Sequence, residues 1–294
     1  MDISVETQEK LDKLLAKVDE KIPPVGTVRL KPKRGTTDVF DSKLGGVPYF
    51  PKGMEYPTVR EGCDEGKPLR LLAQLNLGML PKLEGFPKEG ILQFFIFPND
   101  LYGADFDAPC VQNEFRVIYH ESIVNDTAAL LSEDEIPKND DGDDLFPFEG
   151  EFLLVAEEAR LVGASPVDFR FEKAVAEAYN ELFGGDVAGM WDKDGKGIRQ
   201  VDGQLYDAIC SCYSTDTRMG GFPFFTQEDP RRYKDEFKGH TVMLFQSDSE
   251  NGGENGGWDD EICWGDLGIA NFFITPEALA KRDFSNVLYT WDCG

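Results

Sequence analysis

The chain has 294 residues, 41% hydrophobic and 12% aromatic, which is enough apolar side chain for a packed core and excludes global disorder. Acidic residues outnumber basic ones by 55 to 30, and the net charge of −25 disfavours binding to nucleic-acid phosphates or to anionic membranes. The charge leaves two interpretations open, a surface that favours solubility or an acidic face that attracts a basic partner.

The first predicted element is an amphipathic helix within residues 1–27. Its apolar residues recur at helical spacing, with charges on the opposite face, at Leu11, Leu14, Leu15, Val18 and Ile22. We expect this helix to pack on the body of the protein. The segment lacks the basic-then-apolar order of a secretory signal. We therefore expect a cytoplasmic protein, with its six cysteines as reduced thiols.

Four sequence blocks occur twice along the chain, in the same order and at nearly constant spacing. The pairs are DSKLGGVPYF (41–50) with DTRMGGFPFF (216–225), LLAQLNL (71–77) with MLFQSDS (243–249), GILQFFIFP (90–98) with GIANFFITP (268–276), and VIYHE (117–121) with VLYTW (287–291). Chance similarity between strands would not preserve this order. The pattern predicts an internal duplication within one compact domain, with units at residues 28–131 and 151–294.

Both units have more strand signals than helix signals. Their short aromatic runs are bounded by Gly and Pro, and LLAQLNL alternates, with Leu71 and Ala73 on one face and Gln74 on the other. One helix is predicted from Ser165 to Gly184, and a shorter one begins at Thr275. We predict an α+β fold, internally duplicated and pseudo-twofold, with mostly antiparallel sheets and a few helices.

An acidic connector, residues 132–150, separates the predicted units. From Ser132 to Glu151 the chain has nine acidic residues and one lysine, a density of like charge that resists packing. We therefore expect a solvated connector. The glycine-rich run SENGGENGGWDDE (249–261) predicts a flexible loop.

The repeated double glycine predicts a tight turn in each unit. Gly45-Gly46 and Gly220-Gly221 permit backbone conformations that other residues avoid, and a proline follows two positions later. The motif lacks the context of a phosphate-binding loop. We expect the turn to direct an aromatic anchor into the core from the residues that follow, Tyr49 and Phe50 in one copy and Phe224 and Phe225 in the other.

Metal and cofactor sites are not predicted, and catalysis is left undecided. The two histidines, His120 and His240, exclude a site made of several histidines. DKDGKGIRQVDG matches a calcium loop at Asp192 and neighbouring positions, but Gly203 stands where the bidentate glutamate is needed, so an acidic turn is favoured. No familiar catalytic motif occurs. A Cys–His pair stays open, because such pairs meet in space and not in sequence.

The aligned repeats give a set of candidate ligand-binding residues. Amides and a carboxylate take matching places on strands that are otherwise apolar, and CWGD adds a tryptophan and a second carboxylate. The candidates are Gln74, Asn76, Gln93, Gln246, Asp248, Trp264, Asp266 and Asn271. Three interpretations remain open: a buried amide network that fixes strand register, a cleft between the units for a small polar ligand, or a groove for a protein partner.

Several stretches resemble the YwqG-like family, a bacterial domain of unknown function. They include SKLGGVPYFPKGMEYP, LLAQLNLGMLP, KEGILQFFIF, RMGGFPFFTQEDPR, CWGDLGIANFFI and DFSNVLYTWDC, which together cover most of the chain from Asp41 onward. The resemblance implies a duplicated α+β architecture. It also suggests an immunity or partner-binding role, because members of such families sometimes lie in toxin–immunity neighbourhoods. It supplies no catalytic residues.

Two functional hypotheses follow. The first is a non-enzymatic cytoplasmic binding or immunity-type protein for a basic protein partner, with no role for nucleic acid or membrane. The second is a small polar ligand-binding protein or hydrolase that uses the cleft between the two units.

Overall fold

The computed structural model describes residues 3–139, 145–213, 215–251 and 260–294. Within them the fold is α+β, with five α-helices, an 11-stranded antiparallel sheet and a separate two-stranded sheet. The helices are α1 Val5–Lys21, α2 Phe171–Phe183, α3 Ile198–Val201, α4 Gly203–Cys210 and α5 Pro276–Ala280. The strands are β1 Val25–Arg34, β2 Lys43–Gly45, β3 Arg70–Asn76, β4 Ile91–Ile96, β5 Phe115–His120, β6 Glu151–Ala156, β7 Arg160–Val162, β8 Arg218–Gly220, β9 Val242–Asp248, β10 Glu250–Asn251, β11 Asp260–Ile262, β12 Ile269–Ile274 and β13 Leu288–Asp292.

The strand order of the large sheet is the same in both directions from its centre. The path is β13-β12-β9-β8-β1-β6-β2-β3-β4-β5, and β7 pairs with β1 beside this path. We call β2, β3, β4 and β5 the first half, and β8, β9, β12 and β13 the second half. At the centre, β1 pairs with β8 and β6 pairs with β2. The first strand of each predicted unit therefore lies next to the half that belongs to the other unit.

The two halves bury a shared aromatic core between them. Phe94 of β4 stacks on Phe245 of β9 with ring centroids 5.2 Å apart, and lies 4.7 Å from the ring of Phe272 on β12. These three side chains are fully buried. Each such ring contributes about 1.5 to 3 kcal/mol by leaving water. The aromatic runs that indicated strands in the sequence therefore also join the two halves.

A bulge in β3 changes the predicted alternation. The pairing with β4 shifts register between Leu71 and Ala73. As a result, Leu71 packs with Phe50 and Val59 in a separate cluster, whereas Ala73 faces the shared core. The prediction that Leu71 and Ala73 share a face is wrong, because an extra residue at this point turns the strand.

The helices α1, α2 and α4 form a second cluster beside the sheet. Ser4 caps α1 by accepting a hydrogen bond from the N–H of Thr7, and the buried face of α1 contacts α2 and α4. Gly184 ends α2, as predicted. The predicted beginning at Ser165 is wrong, because α2 begins at Phe171.

The late start of α2 has a polar cause. The buried carboxylate of Asp168 accepts hydrogen bonds from the main-chain N–H and the guanidinium of Arg170, and it also pairs with the guanidinium of Arg231 at 3.1 Å. These bonds hold residues 165–170 in turns rather than in a first helical turn. By contrast, Thr275 caps α5 by accepting from the N–H of Ala278, as its sequence predicts.

The two soft segments are described only in part. The connector contains a short 3-10 helix, Glu133–Glu135, whose cap is the reciprocal bonding of Ser132 and Glu135. Residues 140–144 of the connector and 252–259 of the glycine-rich loop lie outside the described residues. Among the helices that are described, none is long and apolar enough to cross a membrane.

Each double glycine forms the predicted tight turn. Gly45 and Gly220 have φ values of +63° and +68°, in the left-handed region that favours glycine. A Cβ atom on Gly45 would lie 2.5 Å from the carbonyl oxygen of Gly150, and one on Gly220 would lie 2.5 Å from the carbonyl oxygen of Gly26. The turns therefore need glycine for backbone conformation and for close approach to the strand next to them.

We expect Gly45→Ala to destabilise the fold far more than Gly53→Ala. Gly53 has a φ of +87° with nothing within 4 Å of a Cβ atom, so its substitution reports backbone strain alone, about 1 kcal/mol. Gly45→Ala adds the clash with the carbonyl of Gly150, about 2 kcal/mol more. Urea unfolding measures both free energies, and equal losses would contradict the close approach.

Candidate functional site

The candidate amides of the first half form a buried hydrogen-bond network. Oε1 of Gln74 accepts from the main-chain N–H of Tyr49 and from Nε2 of Gln93, both at 2.8 Å. Nε2 of Gln74 donates to the carbonyl of Asp41 at 2.9 Å, and Nε2 of Gln93 donates to the carbonyl of Tyr49 at 2.8 Å. The network thus holds the segment that follows the double glycine against β3 and β4.

The second half has hydrogen bonds at the matching positions. Oε1 of Gln246 accepts from the N–H of Phe224 at 2.8 Å, and its Nε2 donates to the carbonyl of Asp216 at 2.8 Å. Nδ2 of Asn271 donates to the carbonyl of Phe224 at 2.9 Å. In both halves, a strand amide therefore binds the residue that directly follows the proline of the repeated motif.

The eight candidates do not line one cleft. Four amides, Gln74, Gln93, Gln246 and Asn271, are 0% exposed. Their neighbours along the strands pack into the shared core, so the pleat turns the amides to the outer faces of the two halves. The hydrogen bonds support the interpretation as a network that fixes strand register. Ligand binding by these residues stays a prediction.

The other four candidates lie in different surroundings. Asn76 is 5% exposed and donates to the carbonyl of Phe40, and Trp264 lies in the shared core, where Nε1 donates to Ser247 at 3.2 Å. Asp266 is exposed. Asp248 lies at the end of β9, where its main-chain N–H donates to Thr217. Trp264 and Asp266 are thus neighbours in sequence without sharing a site.

The sequence did not indicate that His120 extends the amide network. Oε1 of Gln93 lies 2.8 Å from Nε2 of His120 and accepts a hydrogen bond from it, because an amide oxygen cannot donate. The imidazole is 7% exposed and meets the ring of Tyr49 edge-on. Burial lowers the pKa of His120 to about 4, so it is neutral at pH 7. The alignment of VIYHE with VLYTW gives the position but no signal for this role.

A compensated charge cluster lies where β1, β7 and β8 meet. The buried carboxylate of Asp216 is 3.2 Å from Nε of Arg218, 3.6 Å from Nε of Arg29 and 3.9 Å from a guanidinium nitrogen of Arg160. Nearby, burial and then the charge of Glu250 raise the pKa of Asp248 to about 7. The cluster joins central strands of the sheet, and its three arginines surround the carboxylate of Asp216.

The structure does bring one Cys–His pair together. Sγ of Cys110 is 3.8 Å from Nε2 of His240. Burial raises the pKa of the Cys110 thiol to about 11, and burial also lowers the pKa of His240. Both groups are therefore neutral at pH 7, whereas a nucleophilic pair needs the thiolate. This contact does not favour cysteine catalysis.

The acidic motif near Asp192 forms a turn. Its carboxylate oxygen Oδ2 accepts from the N–H groups of Asp194 at 2.9 Å and Lys196 at 3.2 Å. Over the described ranges, no three His, Cys, Asp or Glu side chains converge in a way that could hold a metal ion.

Two cavities adjoin the double-glycine turns, one in each half. A cavity of about 530 Å³ lies beside Gly46, between β3, the beginning of β6 and the acidic connector. A second, of about 430 Å³, lies beside Gly220 and Gly221, between β9 and the beginning of β1. The sequence of these turns indicates a folding role and carries no signal for either cavity.

We expect His120 and Asp248 to shift stability with pH in opposite directions. The ordinary pKa of His120 is 6.5 and its folded value is about 4, so its contribution is present above pH 6.5 and is lost as pH falls through 4. The ordinary pKa of Asp248 is 3.8 and its folded value is about 7, so its contribution is present below pH 3.8 and is lost as pH rises through 7.

Urea unfolding at pH 4.5 and pH 7 checks these signs in two variants. For His120→Gln we compare the free energy of unfolding with that of the parent at each pH. This difference should favour the variant by about 2 kcal/mol more at pH 4.5 than at pH 7. For Asp248→Asn the same difference in the free energy of unfolding should favour the variant by about 2 kcal/mol more at pH 7 than at pH 4.5. Parallel pH profiles for parent and variants would contradict the two burial effects.

Comparison with known families places the chain in one of them. The sequence profile described as a domain of unknown function, DUF1963, matches residues 42–293. No curated protein matches the chain at a significant level. The match includes both double-glycine turns, both halves of the sheet and the acidic connector. The chain therefore belongs to the DUF1963 family of domains of unknown function.

Proposed function

We propose that this protein is a YwqG-like, cytoplasmic, non-enzymatic binding or immunity-type protein, and that its partner is a basic protein. The observation that carries the proposal is the surplus of carboxylates, 55 acidic against 30 basic residues. Net charge of −25 creates a field that attracts a cationic partner and raises its association rate.

Ion pairs within the fold use basic side chains at several places. Lys17 and Lys21 of α1 pair with Glu181 of α2 at 3.2 and 2.7 Å. Arg231 is fully buried, with its guanidinium against the carboxylate of Asp168. Each ion pair sets an acidic group against a basic one, so these contacts leave the excess of 55 acidic over 30 basic residues, and the net charge of −25, unchanged.

We further propose that the two halves arose by internal duplication. Support comes from the strand order, which repeats outward from the β1–β6 pair, and from the matching hydrogen bonds of Gln74 and Gln246. Independent folding of a separated unit is not expected, because β1 and β6 each complete the opposite half.

A second candidate function is the binding of a small polar ligand. The observation that favours it is the cavity of about 530 Å³ beside Gly46, a size typical of ligand pockets. This cavity lies at a turn of the first half and not between the halves. A hydrolase has less support than a binding protein, because the Cys110–His240 pair is neutral.

Salt dependence tests the first proposal. A partner isolated from the native host should be purified and its dissociation constant measured from low salt to about 0.5 M salt, where screening is strong. We expect the affinity to fall by about tenfold or more over this range, because charge complementarity drives the association. An acidic protein of similar size and net charge serves as control for non-specific attraction.

Two results would count against this function. One is the recovery of no partner whose affinity depends on salt. The other is a partner that binds the acidic control protein equally well. Thermal-shift screening with polar metabolites at constant salt addresses the second candidate, which predicts stabilisation by a small molecule in the absence of any protein.

A further inference from the structure

The cavity beside Gly46 is lined in part by the carboxylate of Glu151. Glu151 is the first residue of β6 and lies opposite Gly45 in the strand pairing. Its Oε2 accepts hydrogen bonds from the main-chain N–H and the hydroxyl of Thr37. Within the described part of the chain, Oε1 of Glu151 has no hydrogen-bond donor or ion-pair partner. One oxygen is thus fixed in place while the other stays available to a ligand.

An aromatic ring and apolar side chains form another wall of the same cavity. Tyr56 is held by contacts of its ring with Phe50 at 5.0 Å and Phe95 at 5.8 Å. Leu69 and Leu71 add buried aliphatic surface. A ring can bind a cation over its face, and aliphatic surface suits the methylene stem of a long basic side chain.

Two cations also line the cavity, and neither pairs with Glu151. The guanidinium of Arg70 lies 4.1 Å above the ring of Phe146. Lys138 is exposed on the connector. Glu133, on the same connector, adds a second carboxylate at the cavity.

A third cation, the buried Lys43, is near enough for its charge to interact with that of Glu151, but its Nζ donates to the carbonyls of Asp38 and Val47 rather than to the carboxylate. Among the described residues Glu151 therefore has no direct ion pair, and its free oxygen can contact an incoming group.

The second half lacks this chemistry at the corresponding place. Thr27 lies opposite Gly220 in the strand pairing, where Glu151 lies opposite Gly45. The side chain of Leu83 packs against the turn, with Cδ1 2.6 Å from a Cβ atom built on Gly220. The two turns have the same backbone conformation but different side chains beside them. The turn itself therefore does not require a carboxylate at position 151.

We propose that the cavity beside Gly46 binds a lysine or arginine side chain of a protein partner. Glu151 supplies the counter-charge, Tyr56 the aromatic face, and Leu69 with Leu71 the apolar wall. This inference rests on the proposed function and names the contact through which the basic partner is recognised. A cationic side chain matches the two carboxylates at the cavity, Glu151 and Glu133.

The test uses the full chain and two defined probes, Nα-acetyl-arginine methylamide and inorganic phosphate. Calorimetry at low salt measures their binding to the parent and to Glu151→Gln, which keeps a hydrogen-bond acceptor for Thr37 but removes the charge. The matched control is Glu149→Gln, the same change at an exposed residue two positions away. We expect the arginine probe to bind the parent about tenfold more tightly than Glu151→Gln, and Glu149→Gln to stay within about twofold of the parent.

A second variant keeps the test decisive if Glu151→Gln unfolds. Tyr56→Leu preserves apolar packing but removes the ring, and we expect it to weaken the arginine probe by about threefold. Equal binding by Glu149→Gln and a folded Glu151→Gln would overturn the proposal. The proposal would also be overturned if Tyr56→Leu bound the arginine probe as tightly as the parent does, or if the parent bound phosphate tightly and did not bind the arginine probe.

The partner itself separates this inference from the function on which it rests. If a purified partner binds in a salt-dependent manner but with equal affinity to Glu149→Gln and Glu151→Gln, the cavity is not its site and the proposed function stands. If no salt-dependent partner exists, the proposed function fails even where the arginine probe binds.

Discussion

The fold depends on the close approach of two glycine turns to the central strands. Gly45 lies against the carbonyl of Gly150, and Gly220 against the carbonyl of Gly26, at separations that leave no space for a side chain. This approach lets β2 pair with β6 and β8 pair with β1. It also directs the chain back over the outer face of each half, where the strand amides bind it. Sheet order, outer clusters and amide network all require these contacts.

The sequence predicted what local chemistry controls. The double glycines indicated tight turns, Thr275 indicated a helix cap, and the repeated amides indicated paired positions on matching strands. It could not predict that β1 and β6 lie beside the opposite halves, because a strand sequence does not specify its neighbour. The bulge that turns Leu71 depends on the pairing of β3 with β4. The late start of α2 depends on Arg231, which is distant in sequence from Asp168.

The candidate site residues also depend on contacts that the sequence could not predict. Amides on apolar strands suggested a ligand cleft as one interpretation, but Gln74 and Gln246 make hydrogen bonds to main-chain groups of their own halves. Glu151 had no distinguishing signal, because it directly follows the many acidic residues of the connector. Its position became apparent only from its place opposite Gly45, where the second half has Thr27. The proposed site at Glu151 therefore rests on a difference between the two halves and not on their likeness.

The most direct test of this division between structural amides and a binding cavity is an NMR titration. Uniformly ¹⁵N-labelled protein would be titrated with Nα-acetyl-arginine methylamide, and both main-chain and side-chain amide signals followed. We expect saturable shifts at the N–H groups of Gly46, Val47 and Glu151, with the side-chain signals of Gln74 and Gln246 unchanged. Saturable shifts centred on those glutamine side chains, with Gly46 unaffected, would contradict the account.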